Sequence, residues 1–337
     1  MSAVKQLVSV IGGSGFIGTE LVRQLLAGGH QVRIIDKNRS AAHPDLWTFA
    51  DVRDVKALAA AVRGSDVIYN LAAEHKDNVQ PRSLYDEVNV DGAANVCRAA
   101  EEHSIERIVF TSSVAVYGFA EPNVDESGIL RPFNDYGRTK MLAENIYRGW
   151  LAGDARRSLV IVRPTVVFGP RNRGNVYNLL RQMASGRFLM VGNGKNVKSM
   201  AFVENVAGFL AAAPQRGPGE HLFNYVDKPD FSMEELILLV RRCLGRSARI
   251  GMRLPYGVGY AGGVMADLAA RLLKKELPIS AIRVKKFCAT TQFSAPRIAS
   301  TGFRPAVTLR QGLERTIACE FLGQGSSDAS LPIFESE

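Results

Sequence analysis

Cysteine and histidine are sparse in this 337-residue chain, and their placement excludes more than their numbers do. The four cysteines, Cys97, Cys243, Cys288 and Cys319, lie far apart, form no Cys-x-x-Cys pair and have no histidine pair nearby. Neither a disulfide framework nor a metal site is expected. Long apolar runs are missing too. The longest uncharged stretch within Met252–Leu273 is Leu254–Ala266, 13 residues interrupted by glycines, against the roughly 20 that a bilayer crossing takes. A first strand expected at Gln6–Ile11 leaves no room for the basic, apolar and cleavage regions of a secretory leader, so a cytosolic protein is expected. Internal repeats and low-complexity tracts are absent.

Acidic residues are scarce in one region. Between Arg241 and Arg310 there are fourteen basic residues against Asp267 and Glu276, a net +12 that leaves −3 for the rest of a chain whose total is +9. Such asymmetry points to a polyanion: nucleic acid, an anionic membrane surface or a phosphorylated substrate. Nucleic acid is disfavoured, because no aromatic interleaving or helix-turn-helix pattern accompanies the charge. On a helix, Asp267, Arg271 and Lys274 would share one side of this region, and Val264, Met265, Leu268 and Leu272 another. That pattern suits either packing on a smaller lobe, which it favours by itself, or a membrane interface.

What is plentiful is alternation. Short apolar runs (Gln6–Ile11, Gln31–Asp36, Val67–Ala72, Ile108–Ser112, Leu159–Val162) alternate with amphipathic stretches (Ile17–Ala27, Val55–Val62, Ala93–His103, Tyr136–Leu151). This βαβα order with near-continuous apolar strands predicts an α/β fold, a Rossmann-type doubly wound parallel sheet with a smaller C-terminal substrate lobe. The expected division is 1–165 for the dinucleotide-binding part, 166–325 for the lobe with some strands returning to the sheet, and 326–337 as a tail. Helices are expected at Val176–Ser185, Val203–Ala213 and Ser232–Cys243, and a basic segment at 252–286 for which both the packed and the membrane-interfacial arrangements stay open.

Gly12, Gly13, Gly15 and Gly18 follow the first strand and open a helix, the setting in which backbone amides approach a pyrophosphate. Asp36 ends the second strand, placed to accept hydrogen bonds from the adenosine ribose, which favours NAD over NADP. Further on, Tyr136 and Lys140 are four apart on one helical face, where an ammonium would lower the phenol's pKa and make it a usable acid/base. Alone, such a pair is more often a solvated helix face. Its coincidence with the glycine loop makes it informative.

With Asp51-Val52, Asn70-Leu71-Ala72-Ala73 and Asn89, the G-x-x-G-x-x-G spacing resembles the extended short-chain dehydrogenase/reductases, the NAD-dependent epimerase/dehydratase family. The resemblance implies that Gly12, Gly15, Phe16, Ile17, Gly18, Asp36, Asp51, Val52, Leu71, Ala72, Ala73, Asn89, Tyr136 and Lys140 hold the cofactor. It also implies that Ser113, at the strand end Thr111–Gly118, is the active hydroxyl beside Tyr136 and Lys140, with Ser112 as the fallback. Dehydratases of the family carry acidic residues where this chain has Val114 and Ala115, so dehydration is disfavoured. The set suffices for C4 epimerisation or simple dehydrogenation. Arg163, Asn175 and Lys198, with Ser113, fall where relatives contact the sugar and diphosphate.

Longer runs, Ala72–Asp77, Arg171–Leu180, Tyr225–Asp230 and Arg283–Phe293, look like those of the 4-epimerases acting on N-acetylglucosaminyl-diphospho-undecaprenol. That resemblance implies an N-acetylhexosamine carried on a lipid diphosphate, or on a nucleotide as the alternative. It further implies a peripheral place on the inner face of the cytoplasmic membrane, a part in surface-polysaccharide synthesis and a homodimer. A net dehydrogenase of a sugar or sterol, and a non-catalytic dinucleotide sensor, remain as alternatives.

Overall fold

In the computed structural model residues 5–76, 79–186, 188–213, 216–247, 249–273, 280–324 and 332–335 are described. Asp77, Lys274, Lys275, Glu276 and most of the tail 326–337 lie outside the described residues. The strands are β1 (Leu7–Ile11), β2 (Gln31–Asp36), β3 (Trp47–Phe49), β4 (Val67–Asn70), β5 (Arg107–Thr111), β6 (Ser158–Pro164), β7 (Val166–Phe168), β8 (Met190–Val191), β9 (Val197–Phe202), β10 (Gly219–Tyr225), β11 (Asp227–Ser232) and β12 (Arg253–Leu254). The helices are α1 (Phe16–Ala27), α2 (Val55–Val62), α3 (Gly92–Glu102), α4 (Asp135–Ala152), α5 (Asn175–Ala184), α6 (Val203–Ala212), α7 (Met233–Cys243), α8 (Tyr256–Leu273), α9 (Ala281–Cys288), α10 (Pro296–Ala299) and α11 (Leu309–Leu322).

Seven strands pair in the order β10-β6-β5-β4-β1-β2-β3, all parallel. β4 and β6 are buried at every position, as strands covered on both faces must be. Layers of apolar side chains fill both sides. One joins β-strand residues Ile35, Ile68 and Phe110 to α2, α3 and α4; the other joins Val10, Tyr69 and Val162 to α1 and α6. The strand order reverses between β1 and β4, the crevice where such sheets bind ligands.

The second half of the chain contributes to both regions. β10 extends the main sheet beside β6, and α6 packs on α1. Sequence patterning predicts α6 within one residue of its observed bounds but gives no sign of β10, because Gly219-Glu220-His221 breaks its apolar run. The smaller lobe has its own core, built by α5, α7, α11 and the β11-β9-β7 sheet. Side-chain boxes start two of its helices: Ser232 with Glu235 for α7, and Thr308 with Gln311 for α11.

Candidate active site

α1 opens differently from those two helices. Its N-cap is Gly15, which has no side chain to bond the helix's first amides, so those N–H groups stay available to an anion. Gly12 adopts φ +77°, and a Cβ there would meet the Ala72 nitrogen at 2.6 Å. A Cβ on Gly18 would lie 2.4 Å from the Gly12 oxygen, so the loop folds back onto its own helix only because both positions are bare. Leu71 N–H donates to the Ile11 oxygen at 2.8 Å, which brings Leu71, Ala72 and Ala73 alongside this loop. Phe16 rests on Phe334 with ring centroids 5.6 Å apart, and Ile17 packs on the sheet's second core.

Asp36 ends β2 against the glycine loop, its carboxylate accepting Ser14 N–H at 3.1 Å and Asn38 N–H at 2.9 Å. Burial raises its pKa despite those bonds. Asp51 pairs with Arg53 at 2.7 Å, and that guanidinium lowers its pKa. Val52 is buried, its carbonyl accepting from Asn95 at 2.8 Å. Asn89 has a supporting place: its amide brackets the Glu74 backbone through bonds of 2.8 and 2.9 Å and reaches Thr139 at 2.9 Å. It fastens the loop after β4 to α4.

Tyr136 and Lys140 are on α4, which starts from an Asn134 cap on Gly137 N–H at 2.9 Å. Lys140 Nζ donates to the Thr111 carbonyl at 2.8 Å, 4.8 Å from the Phe110 ring centroid and 6.0 Å from that of Tyr136. Burial pushes this lysine down to about 7, against an upward pull from Glu144. Ser113 is close enough to Tyr136 to draw its pKa down. The expectation that Lys140 lowers the phenol's pKa is corrected here. Burial raises it, and the downward influence comes from Ser113, because the ammonium is bonded to Thr111.

The two serines divide clearly. Successive strand residues face opposite ways, and Ser112, 1% exposed, donates to Glu144 at 2.6 Å. Ser113 is left facing Tyr136, so Ser112 is withdrawn as the fallback. Arg163 is also corrected: 1% exposed, it forks onto Glu144 at 2.8 and 2.6 Å and donates to Tyr117 at 2.7 Å, with no donor turned toward a sugar. Its charge is buried and therefore paired. Asn175 is exposed at the first turn of α5. Lys198 donates to the Ala289 carbonyl at 2.7 Å and is pushed down to about 8 by burial.

Three residues were missed in the sequence. Glu144 follows Tyr136 and Lys140 at the same spacing of four, a signal available to anyone extending the face by one turn. His75 lies within electrostatic reach of Lys140 and is held below its usual pKa, mainly by burial. Buried Glu126 accepts the Asn224 N–H at 3.0 Å; only tertiary folding brings those two together.

The NAD dependent epimerase/dehydratase family model matches residues 8–225, which hold the glycine loop, Ser113, Tyr136 and Lys140. The chain belongs to this family. It is 46% identical over 323 residues to the N-acetyl-alpha-D-glucosaminyl-diphospho-ditrans,octacis-undecaprenol 4-epimerase of Escherichia coli O157:H7, covering 95% of this chain and 97% of that one. The UDP-glucose 4-epimerase of Thermus thermophilus, solved with NAD, superposes with a TM-score of 0.69 at 21% identity, covering 92% and 97%. The UDP-N-acetylglucosamine 4-epimerase of Methanobrevibacter ruminantium does so at 0.72 and 20%, covering 95% and 99%. The family's cofactor is NAD, and the residues fit it: a positive-φ glycine against Ala72, uncapped helix amides and a carboxylate at the end of β2.

The basic region takes an unexpected form. α8 lies against α9, with Gly263 at the Ala281 backbone and Asp267 accepting Ala281 N–H at 3.0 Å. The side of α8 that carries Asp267 therefore faces α9, while Tyr256, Val258, Tyr260, Val264, Met265 and Leu268 are exposed, Met265 at 64%. Packing of this apolar face on the small lobe, the arrangement the pattern alone favours, is not what forms. No described helix is long and apolar enough to cross a membrane. Lys285 of α9 lies 5.5 Å from the Phe119 ring centroid, and the segment after α9 bonds to the loop beyond Ser113 through Asn123 N–H to Gln292 O at 2.7 Å. The basic segment is thus tied to the strand end that carries Ser113.

Proposed function

We propose that this protein is an NAD-dependent 4-epimerase that interconverts N-acetylglucosamine and N-acetylgalactosamine carried on undecaprenyl diphosphate, through a transient 4-ketone. The observation that carries the reading is the 46% identity over 95% of the chain to the E. coli enzyme, together with Ser113 and Lys140 gathered at Tyr136. Gly12, Gly15, Phe16, Ile17, Gly18, Asp36 and the Leu71–Ala73 edge would hold NAD, which when bound would supply a reversible hydride acceptor at the sugar's C4.

The protein's own groups handle the proton. Tyr136 removes it from the 4-hydroxyl and returns it after the ketone has turned over. Ser113 donates to the same oxygen as it gains carbonyl character. Lys140, held by the Thr111 carbonyl beside Tyr136, would grip the ribose of the bound cofactor and orient it toward that phenol. Val114 and Ala115 supply no second acid/base, so the ketone is reduced rather than dehydrated. Asn175 and Lys198 remain the proposed contacts to sugar and diphosphate; Arg163 does not.

The outward apolar face of α8 is read as a dock on an anionic membrane, placing a homodimeric enzyme peripherally at the inner face. Half-exposed Val264 and Leu268 and the more exposed Met265 would each gain up to about 1.5–3 kcal/mol on full burial, and each nearby Lys or Arg about 1 kcal/mol at an anionic surface. Both terms are needed for firm binding.

Purified protein with no added NAD is incubated separately with GlcNAc-diphospho-undecaprenol and UDP-GlcNAc, and the epimers are resolved. GalNAc from the lipid substrate supports the reading. GalNAc from UDP-GlcNAc alone would replace it with a nucleotide-sugar epimerase, and none from either would end it.

A further inference from the structure

Glu144 has no exposed surface, yet four donors converge on its carboxylate: Ser112 Oγ at 2.6 Å, Arg163 Nε at 2.8 Å and Nη2 at 2.6 Å, and Arg148 Nη2 at 3.3 Å. From Arg163 the bonds continue through Tyr117 OH at 2.7 Å to Asn224 Oδ1 at 2.8 Å, whose own N–H reaches Glu126 at 3.0 Å. This buried chain passes behind Ser113 and joins α4 to β10.

Lys140 precedes Glu144 by one turn and is 2% exposed, bonded to the Thr111 carbonyl beside the Phe110 ring. The groups around it are Tyr136 and Glu144 from α4, His75 from the loop after β4, and Thr111 and Phe110 from β5, with Arg163 of β6 bound to Glu144. Among these, Glu144 is the one anion. An apolar pocket disfavours an ammonium, and the Glu144 carboxylate one turn away opposes that effect.

We propose that Glu144 is a positioning residue for the reaction: it holds Ser112 inward so that Ser113 alone meets the phenol, and from one turn away on α4 it supports the ammonium that Lys140 presents at the cofactor edge. Burial pulls the lysine down and Glu144 pulls it up. Neutralising Glu144 therefore moves Lys140 further down.

The activity assay rests on the epimerase reading, so a readout independent of turnover is paired with it. Lysine Nζ NMR, with Lys140 assigned by its loss in Lys140→Met, gives the Lys140 titration in wild type and in Glu144→Gln. A midpoint lower by about one pH unit is expected, with the alkaline limb of kcat for GlcNAc-diphospho-undecaprenol moving equally and KM nearly unchanged. Glu144→Asp should restore both. Should Glu144→Gln fail to fold because Arg163 is stranded, Glu144→Gln/Arg163→Gln is read against Arg163→Gln alone and is expected to show the downward shift relative to it. An unmoved Lys140 titration in a folded variant overturns the inference, even where thermal stability falls. Absence of GalNAc from wild type refutes the epimerase reading instead and leaves the NMR result standing.

Discussion

Tyr136 and Lys140 sit in surroundings that oppose their charged forms, and two outcomes separate function from stability there. Tyr136→Phe should lower epimerisation by about 10³-fold, within the usual range for losing a general acid/base. NAD binding, measured by fluorescence, should be kept, because Tyr136 is one contact among many. Lys140 titrates near 7 in the folded chain and near 10.4 unfolded. Between those values the unfolded state binds more protons, so this group's contribution to stability rises from about pH 7 to about pH 10 and is least favourable below 7. Lys140→Met should therefore melt higher than wild type at pH 6, with the gap closing towards pH 10, while being inactive throughout. A melting scan across pH checks this, and a reversed gap contradicts it. Arg163→Met, by contrast, should destabilise by about 3–5 kcal/mol in denaturant titration, since it leaves the Glu144 charge buried.

Elements place these residues, and some of that placement is legible in sequence. The glycine loop is legible because its bare positions are required by contact: Gly12→Ala must bear a positive φ and a Cβ 2.6 Å from Ala72. A loss of at least about 1–3 kcal/mol in stability follows, with NAD affinity reduced in a calorimetric titration. The four-residue spacing on α4 is legible for the same local reason. Arg163 was misread because its burial against Glu144 and Tyr117 is set by tertiary packing, whereas Ser113 was chosen over Ser112 from the motif. The orientation of α8 was left open by its sequence, since an amphipathic pattern does not say which face a neighbour takes. Asp267, capping α9, turned it outward. Val264→Glu/Met265→Glu should leave the melting temperature unchanged, because both side chains are exposed. It should abolish sedimentation with vesicles containing anionic lipid. Retained binding would assign the dock to another surface.

At the scale of the whole molecule, the first half repeats a pattern that periodicity reads well, whereas β10 and the strap after α9 join distant stretches through contacts no local signal carries. These long-range ties bring the basic segment to the strand end that carries Ser113. The central claim is that one bound NAD serves both faces of a single sugar carbon. The most direct test supplies GlcNAc-diphospho-undecaprenol deuterated at C4 to the purified enzyme without added NAD and measures the label in the GalNAc product by mass spectrometry. Full retention at C4 is expected. Loss of the label to water, or accumulation of NADH with a free ketone, would contradict it.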